Sequence, residues 1–437
     1  MEGEWKTICL GDLTTWTSGG TPSKANPEFW KGDIPWISAS SMKTPLLCDS
    51  DLKITRGGLE NGSRLAETGS ILLLVRGSEL HKRIPVGIAT CPVAFNQDVK
   101  ALKSKGEIDP RYLFYWLLGN EGMLLGKVEP TGIGAGKLDT EVLKSLPVAL
   151  PPVVEQKAIV AVLKAFDDKI ELNRRMNATL EATARALFRS WFVDFDPVRA
   201  KLEGRQPVGV DAATAALFPE HLEDSPLGPI PKGWEARPLA EMVDVVKGRS
   251  YRSEELAESK TALVTLKSFL RGGGYRADGL KPFAGEYKTN QRVCSGDLIV
   301  AFTDVTQAAD VIGKPALIRS DERFDTLVAS LDVGIVRPKS RHVSTPFLYC
   351  LFLAAEFQAH AYSHVMGTTV LHLGSNAIPS FVSITPPVEV AEKFAERAGQ
   401  IFRLIDENAK QSRTLATLRD TLLPKLLSGE VKVGVDQ

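Results

Sequence analysis

The sequence predicts an α+β fold in which two pseudo-symmetric mixed α/β domains are joined by two long helices packed as an antiparallel coiled coil. Three observations predict it. Pro151 and Pro152 open a stretch of about forty residues with no Gly and no further Pro, which reads as one uninterrupted helix. Within it Leu163, Phe166, Ile170, Asn173, Asn177, Leu180, Ala184, Leu187 and Trp191 alternate steps of three and four, the heptad seam by which one helix lies along another. Near the C-terminus PPVEVAEKFAERAGQIFRLIDENAKQSRTLATLRDTLLPKLLSG repeats the pattern, with Pro387 in the place of Pro152. That one offset also carries Phe166 onto Ile401, Ile170 onto Ile405, Asn173 onto Asn408, Leu180 onto Leu415 and Leu187 onto Leu422. Two matching helices at a fixed interval mean a chain built twice.

The expected segments are a first domain over 1–150, a helix over 151–193, a linker over 194–232, a second domain over 233–385, a second helix over 386–428 and a tail over 429–437. At ~1.5 Å per residue each helix would run roughly 60 Å, longer than a typical core helix. In the first domain ILLLV from Ile71, Val86 to Ala89 and Val99 to Leu102 read as buried strands. Pro110 starts a short helix whose aromatics pack in the core, and the glycine turn Thr131 to Lys137 leads into the long helix. The linker mixes Pro, Gly and charge around an Ala-rich helix at Ala212 to Phe218, and ends the first long helix at Pro197. Trp234 then echoes Trp5, and a second series follows in the same order: VKGRSYR, ALVTL, RGGG, DLIVAF, VGIV and PFLYCLFL. Gly367 stands at the same offset from Gly132 as Pro387 from Pro152. Pro424 has Arg189 as its counterpart, so the second helix is expected to break about a turn early.

A hydrophobic content of 43% with 24% charged residues describes an ordinary globular chain, and 437 residues give ample core for two or three domains. Lys plus Arg balances Asp plus Glu at 53 each, which disfavours a non-specific polyanion binder while leaving basic clefts open. Cys9, Cys48, Cys91, Cys294 and Cys350 are scattered and form no CxxC, the pattern of buried thiols in a reducing compartment. No charged-then-apolar leader and no run of ~18 apolar residues occurs, so the expected location is the cytoplasm, without a membrane.

Several separated motifs, in order, then resemble the specificity subunit of type I restriction–modification systems. They are TSGGTPS, GDIPWIS, Phe95-Asn96-Gln97, the glycine turn at Thr131 to Gly136, and LPPVVEQKAIVAVLKAFDDKIELN running on into WFVDFDPVRAK. That resemblance implies two target recognition domains, each followed by a long helix, and covers nearly the whole chain. It implies a DNA-recognition and assembly subunit without catalysis of its own, joined by methyltransferase (M) subunits, usually two, and by a restriction (R) translocase and nuclease. S-adenosylmethionine, ATP and magnesium would belong to those partners, with none bound by this chain.

A duplicated domain-plus-helix can pack its helices parallel or antiparallel. The antiparallel choice sends the two domains to opposite ends, which suits duplex DNA with equivalent grooves about one turn, ~34–36 Å, apart. Asn173 and Asn408 are then expected near the crossing midpoint, where polar seam residues fix register. Sequence reading requires donors and acceptors aimed at base edges, with phosphate contacts setting position. In the first domain the candidates are the turn Ser18, Gly19, Gly20, Thr21 and Lys24, the loop Ser38, Ser40, Ser41 and Lys43, and Arg76 directly after a buried strand. In the second, Lys247, Arg249, Tyr251, Arg252, Lys267, Arg271, Tyr275 and Arg276 interleave cations with aromatics. Each such residue has a plainer role as an exposed turn, and divergence of the loops is also what drift after duplication gives.

Other motifs fail on inspection. Gly134 to Lys137 lacks the Gly at 131 and the Ser or Thr at 138 of a phosphate loop. Asp109-Pro110-Arg111-Tyr112 and Asn26-Pro27-Glu28-Phe29 lack the second proline of an adenine methyltransferase signature. His360, His364 and His372 have no Glu in a zincin pattern. No catalytic constellation and no metal set is assigned. Two rival classes remain: a stand-alone bipartite DNA-binding regulator, and a protein scaffold without DNA contact.

Overall fold

The computed structural model describes residues 5–131, 134–306 and 308–434. Gly132, with Ile133 beside it in the glycine turn, lies outside the described residues, as do residues 1–4 at the chain start. Two 40-residue helices dominate it: α1, Val153–Phe192, and α2, Val388–Leu427. Both bounds of α2 stand at the offset that separates Pro387 from Pro152, so the two helices are equivalent end to end.

Two expectations about helix ends are corrected. α2 runs through Pro424 to Leu427 without breaking early. Pro424 sits in the last turn, where its missing N–H removes one bond, while Leu423, Leu426 and Leu427 are buried and hold the turn in place. α1 in turn stops before Pro197. Phe195 adopts a left-handed φ of 54°, and Pro197 lies in the first turn of a further helix, Asp196–Leu202, where it has no bond to lose.

The chain divides into two compact units, residues 1–171 with 413–437, and residues 172–412. In the first unit Lys6–Cys9 pairs antiparallel with Pro147–Leu150. A five-stranded sheet runs in the order Thr14–Ser18, Val99–Ser104, Ile71–Leu74, Val86–Ala89, Leu46–Leu47. A four-stranded sheet runs Lys53–Ile54, Trp30–Ile37, Val93–Phe95, Arg64–Ala66, with its middle pair parallel. A small sheet runs Glu129–Pro130, Gly136–Lys137, Arg76–Gly77. Ile71–Leu74 is wholly buried, which is why it reads as a continuous apolar run rather than an alternating one. The same buried core takes in the helix Pro110–Gly119, Ile159 and Leu163 of α1, and Leu423 and Leu427 of α2, the last two packed against Gly119.

The second unit repeats this topology. Glu235–Pro238 pairs antiparallel with Val382–Thr385. One four-stranded sheet runs Val243–Lys247, Val333–Pro338, Leu298–Ala301, Pro315–Leu317. Another runs Lys281–Pro282, Thr261–Val264, Thr326–Ala329, Arg292–Val293, again with a parallel middle pair. The small sheet is Thr303–Asp304, Leu371–Leu373, Val365–Met366. Apart from the extra Leu46–Leu47 strand, and the small pair Leu222–Glu223 with Ile230–Pro231 in the linker, each sheet described has its twin with the same neighbours. The core joins the helix Thr345–Leu353 to an aromatic cluster in which Phe188 and Phe192 of α1 meet Phe394 of α2.

Within each unit the helix segments run antiparallel. In the first, Arg419 Nη1 of α2 lies 2.6 Å from Asp167 Oδ1 of α1, and Tyr115 donates to Asp167 Oδ2 at 2.6 Å. In the second, Asn173 lies by Gln411 and Ser412, Asn177 by Asn408 and Ile405, and Phe188 by Phe394, so numbers fall along α2 as they rise along α1.

Candidate nucleic-acid interface

The polar layer of the seam is built around two asparagines. Asn173 is fully buried, and its Nδ2 donates to Asn408 O at 3.3 Å, Gln411 Oε1 at 2.9 Å and Ser412 Oγ at 3.2 Å. Asn408 Nδ2 donates to Asn177 Oδ1 at 2.9 Å. Because Ser412 stands where Asn177 does, the Asn173–Ser412 and Asn408–Asn177 contacts are a two-fold-like pair, and the matching positions meet here. Of the other register candidates Ile405 is buried, while Phe166, Ile170, Leu180, Leu187, Ile401, Leu415 and Leu422 are half-buried. Leu163, Ala184 and Trp191 of the expected seam are also buried, and beside the seam Phe188 of α1 and Phe394 of α2 meet in the core of the second unit.

In the first unit three strand ends converge. Gly20 N–H donates to Phe95 O at 2.9 Å, and Asn96 N–H to Ile37 O at 3.0 Å. The Ser18–Thr21 turn, the loop after Ile37 and the Asn96–Gln97 corner therefore share one edge. A Cβ on Gly19 would stand 2.3 Å from Phe95 O, and one on Gly20 would stand 2.3 Å from Gly62 O, so glycine is required by close approach. Trp36 Nε1 donates to Gly20 O at 3.1 Å and Thr21 Oγ1 to Gln97 Oε1 at 2.7 Å, while Lys100 Nζ reaches Ser18 Oγ at 2.5 Å. Lys24 is exposed on the following loop. Ser38 and Ser41 cap a short 3-10 turn, with Ser38 Oγ 3.0 Å from Ser40 Oγ. Ser41 Oγ is 2.8 Å from Ser50 Oγ, and Lys43 pairs with Asp51 at 3.9 Å on the open surface. Arg76 is exposed beside Lys137 in the small sheet, and the Val75 N–H before it bonds Asp98 O at 2.8 Å.

The second unit repeats the backbone of this edge with other side chains. Arg249 N–H donates to Ala329 O at 2.8 Å and Ser330 N–H to Val264 O at 2.9 Å. Gly248 is closed in like Gly19, with Ser330 O at 2.2 Å from a Cβ built there. Lys247 and Arg252 are exposed. The Arg249 guanidinium pairs with Glu255 and lies 5.7 Å from the Phe283 ring centroid. The Arg252 backbone N–H, and after it Arg249, hold the Glu255 carboxyl below its ordinary pKa. Lys281, which the sequence reading missed, lies 5.6 Å over the Tyr251 ring. Thr265 and Ser268 cap the turn that carries exposed Lys267, as Ser38 and Ser41 do in the first unit. Arg271 pairs with Asp310 at 3.5 Å, Arg276 pairs with Asp278, and Tyr275 bridges back to Phe269. A phosphate approaching Arg249, Arg271 or Arg276 has to compete with a carboxylate.

The His360 and His364 rings lie 4.5 Å apart and tilted by 42°, and His360 Nε2 lies 3.0 Å from Ala377 O, with its pKa lowered by burial and then by His364. Among the described residues no group of three or more His, Cys, Asp or Glu is placed to hold a metal ion. None of the described helices is long and apolar enough to cross a membrane.

Residues 2–182 match the family model of the type I restriction modification DNA specificity domain. Across 98% of this chain and 94% of the relative, the sequence is 27% identical to a type I restriction enzyme specificity subunit of Methanocaldococcus jannaschii. Over its first 182 residues by the family model, and along nearly its whole length by sequence, the chain is similar to specificity subunits of type I restriction–modification systems. A second specificity subunit, from Escherichia coli, is 37% identical over 38% of this chain and 41% of its own length. In fold, this chain resembles the crystal structure of a type I restriction–modification S subunit from M. genitalium, with a TM-score of 0.51 and 16% identity over 97% of this chain and 96% of that one.

Proposed function

We propose that this chain is the DNA-sequence-recognition member of a type I restriction–modification assembly, and that each unit reads one half of a bipartite duplex site. One observation carries the reading: the same glycine-backed strand-end junction occurs twice, presenting Ser18-Gly19-Gly20 in one unit and Lys247-Gly248-Arg249 in the other. A fixed backbone edge with exchanged donors is what two different base readouts require. The chain performs no catalysis and binds no cofactor of its own. It directs two adenine methyltransferase (M) subunits and the restriction (R) subunits in the cytoplasm, and S-adenosylmethionine, ATP and magnesium act in those partners. Any flipped adenine is held in the methyltransferase pocket.

The test is selection from a randomised duplex library by the full chain with its methyltransferase, followed by titration across salt. The reading expects two separated blocks of fixed bases. Binding equally to all duplexes, or no binding, overturns it.

A further inference from the structure

Beside the glycine turn of the first unit lies a cleft of about 450 Å³, lined by Gly19, Gly20, Leu59, Glu60 and the segment Gly62–Leu65. Its floor is rigid. Gly20 and Gly62 pack backbone to backbone, because a Cβ on Gly20 would meet Gly62 O at 2.3 Å and one on Gly62 would meet Pro22 Cα at 2.7 Å. Ser63 Oγ donates to Phe95 O at 3.0 Å, the same carbonyl that accepts the Gly20 N–H. Arg64 and Leu65 follow on the strand Arg64–Ala66, at the edge of the four-stranded sheet, and both are exposed. The rim therefore offers a guanidinium, a carboxylate at Glu60 and an apolar side chain that is 44% exposed at Leu65.

We infer that this cleft is a base-reading subsite, in which Arg64 addresses a base edge of the first half-site and Leu65 covers its apolar side. The inference rests on the DNA-recognition reading above. Glu60 is paired with Arg56 at 3.3 Å, so a carboxylate stands beside the Arg64 cation on this rim, and a base edge, which accepts from a guanidinium and gives donors to a carboxylate, fits that mixed set better than a phosphate does. The second unit supports the assignment by contrast. There the counterpart of Gly20 is Arg249, whose cation lies over Phe283 against Glu255. Where one unit leaves room beside the turn, the other puts a cation in the turn itself.

Arg64→Ala and Arg64→Lys are compared with the wild-type chain and with Arg205→Ala, a change in the linker, by library selection with the methyltransferase present. Thermal melts establish that each variant folds. The expected result for Arg64→Ala is a loss of discrimination of roughly 5- to 150-fold at one or two positions of one half-site. The other half-site and the salt dependence stay as in wild type, and Arg64→Lys does not restore the preference, since it lacks the two-pronged donor. A uniform loss on all duplexes, with the salt slope reduced by about one, makes Arg64 a phosphate contact and overturns the inference. Unchanged selectivity overturns it as well. If the wild-type chain itself selects no bases, the DNA-recognition reading fails first, so the two failures are distinguishable.

Discussion

The two units share a backbone and differ in what fills it. Beneath the reading edge, the first unit buries Trp36, Ile54 and Ala94 together, and the second buries Leu263, Phe283 and Val328 at the matching places. The large ring has moved from one strand to its neighbour, so total volume is kept while shape changes. That exchange reaches the surface: the Trp36 indole holds Gly20 O, whereas the Phe283 ring lies beneath the Arg249 cation. A second exchange occurs at the helices. Tyr115, Asp167 and Arg419 form a hydrogen-bonded set in the first unit. Their counterparts under the same offset, Cys350, Phe402 and Ala184, are all buried in the second, with burial pushing the Cys350 thiol up to about 12. Backbone closure is therefore the common requirement, and polarity at a given position is negotiable.

The largest effects are expected where both units obey the same constraint. Gly19→Ala and Gly248→Ala each put a Cβ within 2.3 Å of a carbonyl oxygen on the crossing strand. Each should cost about 3 kcal/mol, the upper end of ordinary overpacking, since backbone cannot rotate aside. Denaturant titration read by hydrogen exchange assigns the loss to one unit. A cost below about 1 kcal/mol in either would mean the junction is softer than its distances indicate.

Next comes the polar set that only one unit has. Arg419→Ala leaves Asp167, with its side chain 20% exposed, without its cation, and should destabilise the first unit by about 2 kcal/mol, less than a fully buried pair would lose. Transplanting the apolar solution, Tyr115→Cys with Asp167→Phe and Arg419→Ala, should return stability to within about 1 kcal/mol of wild type. If the triple variant is as unstable as the single one, the polar and apolar sets are not interchangeable and the comparison breaks at that point.

A smaller contrast concerns two tryptophans. Trp5 Nε1 donates to Glu155 Oε2 at 3.1 Å, while the buried Trp234 indole N–H has no hydrogen-bond acceptor among the described residues and Val390 stands where Glu155 does. Trp5→Phe should cost about 1 kcal/mol for the lost bond, and Trp234→Phe should be close to neutral, because it removes a donor that already lacks a partner. Equal costs in paired melting experiments would show that ring packing outweighs the N–H at both places.

How far the sequence reaches is itself uneven across the molecule. The duplication, both long helices and the asparagine layer follow from spacing alone, because a constant offset and a heptad are one-dimensional signals. Ile71–Leu74 is legible as a buried run for the same reason. The cleft at Gly62–Leu65 is not, since it depends on Gly62 meeting Pro22 from a distant part of the chain, and nothing local marks Arg64 as special. The carboxylates beside Arg249, Arg271 and Arg276 are equally invisible: Glu255, Asp310 and Asp278 sit at irregular distances along the chain. Pro197 and Pro424 mislead because a proline breaks a helix interior but is tolerated in a first or last turn.

The smallest effect separates the units by pH. In the second unit the linker is clamped by Asp211, which caps the helix Ala212–Ala216 and pairs with Arg397. The first unit has Val162 at the place corresponding to Arg397, so it has no such clamp. The Asp211 carboxyl is lowered to about 2, first by the Thr214 N–H and hydroxyl and then by Arg397. A carboxylate lowered on folding contributes stability above its unfolded pKa, near 3.8, and loses that contribution as pH falls through about 2. Asp211→Asn keeps the cap and removes the charge, so exchange of the Ala212–Ala216 amides should differ from wild type at neutral pH and converge with it near pH 2. Because the pair is exposed, added salt should shrink the difference. A gap that persists at pH 2 would assign the clamp to the cap's geometry, leaving the charge no part in holding the linker.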